Sequence, residues 1–168
     1  MLSHVLVPLD GSTLAEKGLE HAKKLVGPTG RITLLTVVQV PEFPVYDFYP
    51  TPASVVPDYD AAIADALPRA KEYLEQVAED IRTTLHMPTS AEVLAGDPAS
   101  LIVETAEKLH VDAIVMSTHG RSGIGRWLFG SVTQKVLSGS GVPVFVVPNC
   151  KQRTSSTEPA SAAAEIEQ

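Results

Sequence analysis

The sequence predicts an α/β protein with a parallel β-sheet covered by helices on both faces, a three-layer, Rossmann-like sandwich. Two observations support this prediction. Short apolar segments alternate with segments of helical period along the chain, and these short segments are apolar almost throughout. Strand–helix–strand units of this kind connect right-handedly and make neighbouring strands parallel. A chain of 168 residues is also long enough to bury one core.

The first unit begins with a predicted strand over residues 4–9, which ends at the polar turn 10–12. Apolar residues at helical spacing follow, which predicts a helix. Thr13 and Glu16 have the spacing of a capping box, so Thr13 is the expected N-cap. The segment 31–38 is rich in β-branched residues and predicts the second strand.

A long proline-rich connection separates this unit from the next. Residues 39–57 contain five prolines, which exclude regular structure there. The segment is either a crossover packed over the following helix or a lid over a ligand. The helical period returns from Asp58 to about residue 85, and Pro68 is expected to kink this helix or to start a new one.

The second half of the chain repeats the alternation. A third strand is predicted over residues 90–95, and Asp97 followed by Pro98 gives an N-cap and first-turn signal for a helix. The fourth strand is predicted over 112–117. A glycine-rich turn and a helix beginning at Ser131 come next, and the fifth strand is predicted over 142–147.

The bulk properties narrow the class of protein. The net charge of −7 argues against general binding to nucleic acid or to a membrane surface. Cys150 is the single cysteine, so no intramolecular disulfide is possible, and the scattered histidines have no metal-ligand spacing. No apolar run approaches the roughly 20 residues that span a membrane. We expect a cytoplasmic domain over residues 1–148 and a polar, mobile tail over 149–168.

The glycine-rich turn after the fourth strand predicts a phosphate site. Glycine lets the backbone approach an anion closely, and the N-terminus of a helix offers unpaired N–H groups in a positive field. Arg121 and Arg126 add positive charge at the rim, and the stretch contains no acidic residue. We expect phosphate oxygens to meet backbone amides and the Ser131 hydroxyl; the amides belong to Gly120, Gly130, Ser131 and Val132.

Two common nucleotide motifs do not fit this turn. Gly125 and Gly130 have the glycine spacing of a P-loop, but Ser131 stands where the phosphate-binding lysine is required. Gly123 and Gly125 begin a dinucleotide fingerprint, but Leu128 occupies its third glycine position. The turn is therefore predicted to be a phosphate-binding loop that lacks a catalytic lysine.

The same residues carry a family resemblance. The stretch resembles the nucleotide loop of the universal stress protein family, whose pattern is Gly-x-x-Gly, nine residues, then Gly-Ser or Gly-Thr. In this chain Ser117 takes the place of the first glycine, Gly120 is the second, and nine residues separate it from Gly130-Ser131. The resemblance covers about residues 1–148 and implies the sheet order 3-2-1-4-5.

With that order, the ends of the first and fourth strands meet at one crevice, where a ligand of an open α/β sheet usually binds. Asp10 would then contact the ribose hydroxyls, or the phosphates through a bound magnesium ion. The resemblance further implies that the Val37 backbone contacts adenine and that Gly96 lies beside the pocket. The other predicted contacts belong to the same turns: Pro8, Leu9, Ser117, Thr118, His119 and Gly123.

The resemblance implies a regulatory protein that binds ATP, or else ADP or AMP, and forms a homodimer through its last strand at Val142, Val144 and Val146. The sequence near the loop shows no convincing nucleophile or general base, so we do not expect rapid catalysis. A slow ATP hydrolase or nucleotidyl transferase on the same fold remains one alternative. A nucleotide-free structural or signalling dimer remains another.

Overall fold

A computed structural model describes residues 1–39, 59–118 and 129–148. Strands and helices alternate along these residues as predicted. No helix among them is both long and apolar enough to cross a lipid bilayer. The elements are β1 (Leu2–Pro8), α1 (Thr13–Leu25), β2 (Val26–Gln39), α2 (Tyr59–Leu85), β3 (Thr89–Gly96), α3 (Pro98–Lys108), β4 (Ala113–Ser117), α4 (Ser131–Gly139) and β5 (Val144–Val147).

The five strands form one parallel sheet in the order β3-β2-β1-β4-β5. This confirms the predicted fold and strand order. The central strand β1 pairs with β2 on one side, as in Pro8 with Leu35, and with β4 on the other, as in Leu6 with Ile114. The carboxyl ends of β1 and β4 therefore lie side by side, at the point where the chain changes its direction of winding.

Both faces of the sheet are covered, which explains why the strands are apolar throughout. Val5 and Val7 of β1 belong to the core beneath α1 and α2. Leu6, between them, belongs to the core beneath α3 and α4. The alternation of side chains along a strand sends neighbouring residues to opposite faces, so each strand contributes to both cores.

The N-cap of α1 is Ser12, and the prediction of Thr13 was wrong by one residue. Ser12 has an extended backbone, and its Oγ accepts a hydrogen bond of 3.2 Å from the amide of Ala15. Asp10 holds Ser12 in this position, because its Oδ1 accepts from the Ser12 amide at 3.0 Å and from the Ser12 hydroxyl at 2.6 Å. The polar turn thus selects between two adjacent residues that could each cap the helix.

The strand β2 begins earlier than predicted, directly after α1. Its pairing with β1 runs from Leu2 opposite Val26 to His4 opposite Arg31, so two steps on β1 correspond to five on β2. The extra residues form a bulge. A Cβ on Gly30 would clash with Cγ1 of Val26 and lie 3.0 Å from the carbonyl oxygen of Leu2, so a larger residue would force the bulge to shift.

Other strand ends differ from the predictions by one or two residues, as at β1, β3 and β4, and two differences have a clear cause. α2 is one helix from Tyr59 to Leu85 with Pro68 inside it, so Pro68 does not start a new helix. The fully buried Leu74 and Ala78 hold the part that follows the proline against the core. β5 begins at Val144 and not at residue 142; the carbonyl of Pro143 accepts a hydrogen bond of 2.9 Å from the Ile114 amide.

Candidate functional site

The end of β1 is tied to β2 before it turns toward α1. The buried Leu9 donates its amide to the carbonyl of Leu35 at 2.8 Å, and its own carbonyl accepts from the Thr36 hydroxyl at 2.9 Å. Pro8 is the last residue of β1 itself. The turn that contains Asp10 therefore begins at a residue, Leu9, whose backbone is held by hydrogen bonds to β2. The Asp10 carboxylate supports the helix cap through Ser12 and is not the cap itself.

The end of β4 is tied both to β5 and to the start of α4. The Thr118 amide donates to the Val147 carbonyl at 3.0 Å, and the Thr118 carbonyl accepts from the Gly130 amide at 2.9 Å. The buried Thr133 adds its hydroxyl, which donates to the carbonyl of Ser117 at 3.2 Å. These bonds seat the first turn of α4 directly on the carboxyl end of β4.

One of the expected phosphate donors is already occupied in this arrangement. From the sequence we expected the Gly130 amide to bind phosphate. In the structure this amide donates to the Thr118 carbonyl, so it is not available to a phosphate oxygen. The amides of Ser131, Val132 and Thr133 differ, because within the described residues none of them donates to a backbone carbonyl. They belong to the first turn of α4, where N–H groups have no intrahelical partner.

The electrostatics of this helix start favour an anion. The N-cap Gly130 supplies no side-chain hydrogen bond, and the first turn holds no acidic residue. Lys135, one turn further on, lies 3.5 Å from Asp97, the N-cap of α3. Among the described residues, α4 thus has neither a capping side chain nor a carboxylate in its first turn, and this leaves its N-terminal dipole available to an anion.

Two further residues that the sequence did not indicate help to build this end of the sheet. The first is Thr133, for which a threonine in the first helical turn is the only sequence signal. The second is Gly18 of α1, where an added Cβ would lie 3.4 Å from the amide nitrogen of Ser117. At Gly18, α1 thus packs against the end of β4 at ordinary van der Waals distance.

Val37 and Gly96 also lie at the carboxyl end of the sheet, on β2 and β3, which are further from β4 than β1 is. Leu35 directs its carbonyl toward β1, and residues two apart on a strand direct their backbone groups the same way. The N–H and C=O of Val37 therefore point past the last paired residue of β1. Gly96 ends β3, two strands away from β1, with a φ of +149° that favours glycine.

Five predicted site residues lie outside the described residues: His119, Gly120, Arg121, Gly123 and Arg126. A cavity of about 570 Å³ is found elsewhere, between α1 and α2, and none of the predicted site residues lines it. Inside it, the Tyr73 hydroxyl donates to Glu16 at 3.3 Å, and burial together with the charge of Glu16 raises the pKa of Tyr73 to about 12.

Comparison with known proteins agrees with this fold. The family model described as "Universal stress protein family" matches residues 1–148. The chain belongs to the universal stress protein family. The universal stress protein MJ0531 of Methanocaldococcus jannaschii is 30% identical over 152 residues, which cover 88% of this chain and 83% of that protein.

Solved structures of other family members have the same fold. The structure of MJ0577, also from Methanocaldococcus jannaschii, has a TM-score of 0.73 and 27% identity, and covers 89% of this chain and 97% of its own. A universal stress protein family protein from Arabidopsis thaliana, solved with AMP bound, has a TM-score of 0.61 and 17% identity, and covers 92% and 97%.

Proposed function

We propose that this universal stress protein binds an adenine nucleotide, ATP foremost, across the carboxyl ends of β1 and β4. The observation that carries the proposal is the start of α4. Its first amides have no carbonyl partner among the described residues, and Thr118 and Thr133 hold this turn on the end of β4. A set of N–H groups held in place in this way is suited to phosphate oxygens.

Each part of the nucleotide then has a partner of matching chemistry. The Ser131 and Val132 amides and the Ser131 hydroxyl bind the phosphates; the Gly120 amide and the charges of Arg121 and Arg126, which lie outside the described residues, would add to this binding. Asp10, which follows β1 at the same end of the sheet, would accept from the ribose hydroxyls, or hold a magnesium ion that accompanies the triphosphate. The Val37 backbone, which points past the end of β1, hydrogen-bonds the adenine edge.

The family comparison supports the adenine nucleotide in particular. The Arabidopsis protein with AMP bound has the same fold at a TM-score of 0.61. A longer phosphate chain than that of AMP would reach the first turn of α4, because the base lies near β2 and the two strands β1 and β4 separate β2 from α4. We therefore place ATP ahead of AMP as the ligand.

The role that we propose is regulatory and dimeric, in the cytoplasm. β5 is an edge strand, and Phe145 on it is 41% exposed while Val144 and Val146 are partly exposed. Proteins usually cover an apolar edge strand. A second copy that pairs along β5 would cover it, and nucleotide occupancy would then change the surface that a dimer presents.

A charge placed at the start of α4 tests the phosphate site. Ser131→Asp puts a carboxylate at the first helical position. There it interacts favourably with the helix dipole but repels a bound phosphate. We expect the variant to remain folded and its affinity for ATP to fall on the order of tenfold or more. Isothermal titration calorimetry measures the affinity, and thermal unfolding checks the fold.

The matched control is Ser138→Asp, which adds the same charge near the other end of the same helix, at an exposed residue. It should leave ATP affinity within about twofold of the wild type, since exposed charges more than a Debye length of about 10 Å apart are largely screened. Equal binding by Ser131→Asp and wild type would remove α4 from the site. A wild type that binds no adenine nucleotide would refute the proposed function.

Turnover distinguishes the binding role from an enzymatic one. With ATP and magnesium, we expect negligible hydrolysis over the time of a binding experiment. Rapid release of phosphate that Asp10→Ala abolishes would favour the hydrolase. Loss of rate would have to be separated from loss of folding, because Asp10 also holds the cap of α1.

A further inference from the structure

An exposed lysine of α4 reaches the start of α3 at the carboxyl end of the sheet. Nζ of Lys135 lies 3.5 Å from Oδ1 of Asp97, which caps α3 and directly follows Gly96, the last residue of β3. Both helices contribute to the core on the same face of the sheet, and each begins after the carboxyl end of a strand. The ion pair therefore joins two helix starts at the end of the sheet where we propose that the nucleotide binds.

Lys135 also shares a helix face with the proposed phosphate donors. It stands four residues after Ser131, and both side chains are exposed, so they are neighbours on the surface of α4. The Cα–Cβ bonds of a helix tilt toward its N-terminus, so the side chain of Lys135 extends over the first turn of α4. Its contact with Asp97 agrees with this direction, because Asp97 lies at the start of α3.

The pair between Lys135 and Asp97 is a weak one. Its distance of 3.5 Å is longer than that of a strong charge-assisted hydrogen bond, and the two side chains are 66% and 35% exposed. Exposed ion pairs of this kind contribute little to stability. The ammonium group is therefore available to a stronger anion, and a triphosphate carries several negative charges where Asp97 carries one.

Asp97 keeps its own position without the lysine. Its Oδ2 accepts hydrogen bonds from the amide and the hydroxyl of Ser100, at 2.9 and 2.8 Å, whereas Lys135 lies against the other oxygen, Oδ1. The Ser100 amide and then the Ser100 hydroxyl are the largest causes that lower the pKa of Asp97 below 3.8, and Lys135 adds less. Asp97 thus remains a charged cap of α3 when Lys135 leaves it.

We propose that Lys135 senses the length of the phosphate chain: it pairs with Asp97 in the free protein and turns to the distal phosphates when ATP binds. This role rests on the proposed function, because it needs the phosphates at the first turn of α4. The single phosphate of AMP lies nearer to the base and does not reach α4, so Lys135 stays with Asp97. A triphosphate then breaks the ion pair between α3 and α4, and a monophosphate leaves it in place.

Isothermal titration calorimetry of the full chain, with ATP and with AMP, tests this role. Lys135→Met removes the charge and keeps an unbranched apolar side chain. We expect its affinity for ATP to fall about three- to tenfold and its affinity for AMP to stay within about twofold of the wild type. Lys135→Arg keeps the charge and should retain ATP affinity to within about threefold. Thermal unfolding should show that both variants fold, since the pair is exposed.

The matched control is Lys108→Met, which removes the same charge from an exposed residue in the last turn of α3, at the far end of that helix from Asp97. It should leave the affinities for both nucleotides within about twofold of the wild type, because a distant exposed charge is screened.

Asp97→Asn tests the other half of the pair. Asparagine caps a helix as well as aspartate does, so this variant removes the competing charge and keeps the start of α3. We expect it to bind ATP more tightly than the wild type, by about twofold or more.

The possible outcomes separate this role from the proposed function. Unchanged ATP affinity in Lys135→Met, an equal loss for ATP and AMP, or an Asp97→Asn variant that binds ATP no more tightly than the wild type would overturn the role of Lys135. None of these results would remove the nucleotide site. A wild type that binds neither nucleotide would refute the proposed function, and the role of Lys135 with it.

Discussion

Histidine occupies two helix ends where glycine is the usual residue. His86 after α2 and His110 after α3 have φ values of +52° and +49°, in the left-handed region. At His110 the backbone closes the helix with two bonds, from the His110 amide to the Glu107 carbonyl at 3.1 Å and from the Val111 amide to the Ala106 carbonyl at 3.2 Å. Such ends favour glycine, which has no Cβ to crowd the backbone.

His110→Gly should therefore raise the free energy of unfolding, by about 0.5–1 kcal/mol, because it relieves the left-handed conformation. Glu104→Gly is the control, as it places the same residue at an exposed position in the middle of α3, where it should cost about 1 kcal/mol. Urea unfolding measures both. If the two variants are equally destabilised, the left-handed strain at His110 is not real.

Single residues were the least predictable level of this structure. The spacing of Thr13 and Glu16 indicates a cap at Thr13, but Asp10 binds the neighbouring Ser12 and makes Ser12 the cap. Gly18 shows the same limit, because its role depends on how closely α1 approaches Ser117. Contacts between residues distant in sequence decide such positions, and local patterns do not record them.

At the scale of elements, one arginine joins α2 to the strand that follows it. Arg82 donates its Nε–H to the Thr89 carbonyl at the start of β3, at 2.8 Å. The same guanidinium reaches Glu75 and Glu79 of its own helix, both at 2.9 Å. The bond to the carbonyl joins helix to sheet, whereas exposed ion pairs along one helix add little.

Arg82→Lys tests this difference, because lysine keeps the charge but has no Nε–H donor in that position. We expect the variant to lose about 1 kcal/mol of unfolding free energy in urea denaturation. Arg69→Lys should lose almost nothing, as Arg69 makes only an exposed pair with Asp65 within α2. Equal losses in the two variants would contradict a helix-to-strand tie at Arg82.

The type of each element and the order of elements along the chain were predictable, because apolar strands and helical periodicity are visible in local sequence patterns. The start of β2 was not. Gly27, Pro28 and Gly30 indicate a turn, yet they form a bulge within the strand because Val26 pairs with Leu2. That pairing belongs to the tertiary structure. Pro68 similarly indicates a helix break that the buried residues of the following turns override.

At the scale of the whole molecule, β3 and β5 are the two outer strands of the sheet that the described residues form. We expect the dimer to use β5. Val146→Lys should place a charge in that interface and yield monomers in sedimentation velocity. Ala95→Lys makes the same kind of change on the exposed side of β3 and should leave dimers intact. A dimer that Ala95→Lys breaks and Val146→Lys preserves would locate the interface at the other edge.

The site could be predicted in outline because a parallel sheet brings the ends of its strands to one edge. Asp10 is far in sequence from Ser117 and Thr118, and it comes to the same end of the sheet once β1 and β4 are neighbours. That neighbourhood came from the family resemblance, since alternation alone does not order five strands. The Gly130 amide shows what could not be foreseen, because its bond to Thr118 depends on the exact position of α4.

The first amides of α4 are the groups that we propose bind the phosphates of an adenine nucleotide. Titration of the isotope-labelled protein with ATP, followed by amide nuclear magnetic resonance, measures this most directly. We predict that the largest shifts occur at the amides of Ser131 and Val132, with little change at Ser3 and Thr89 at the far end of the sheet. Unmoved Ser131 and Val132 signals at saturating ATP, or shifts confined to the cavity between α1 and α2, would contradict it.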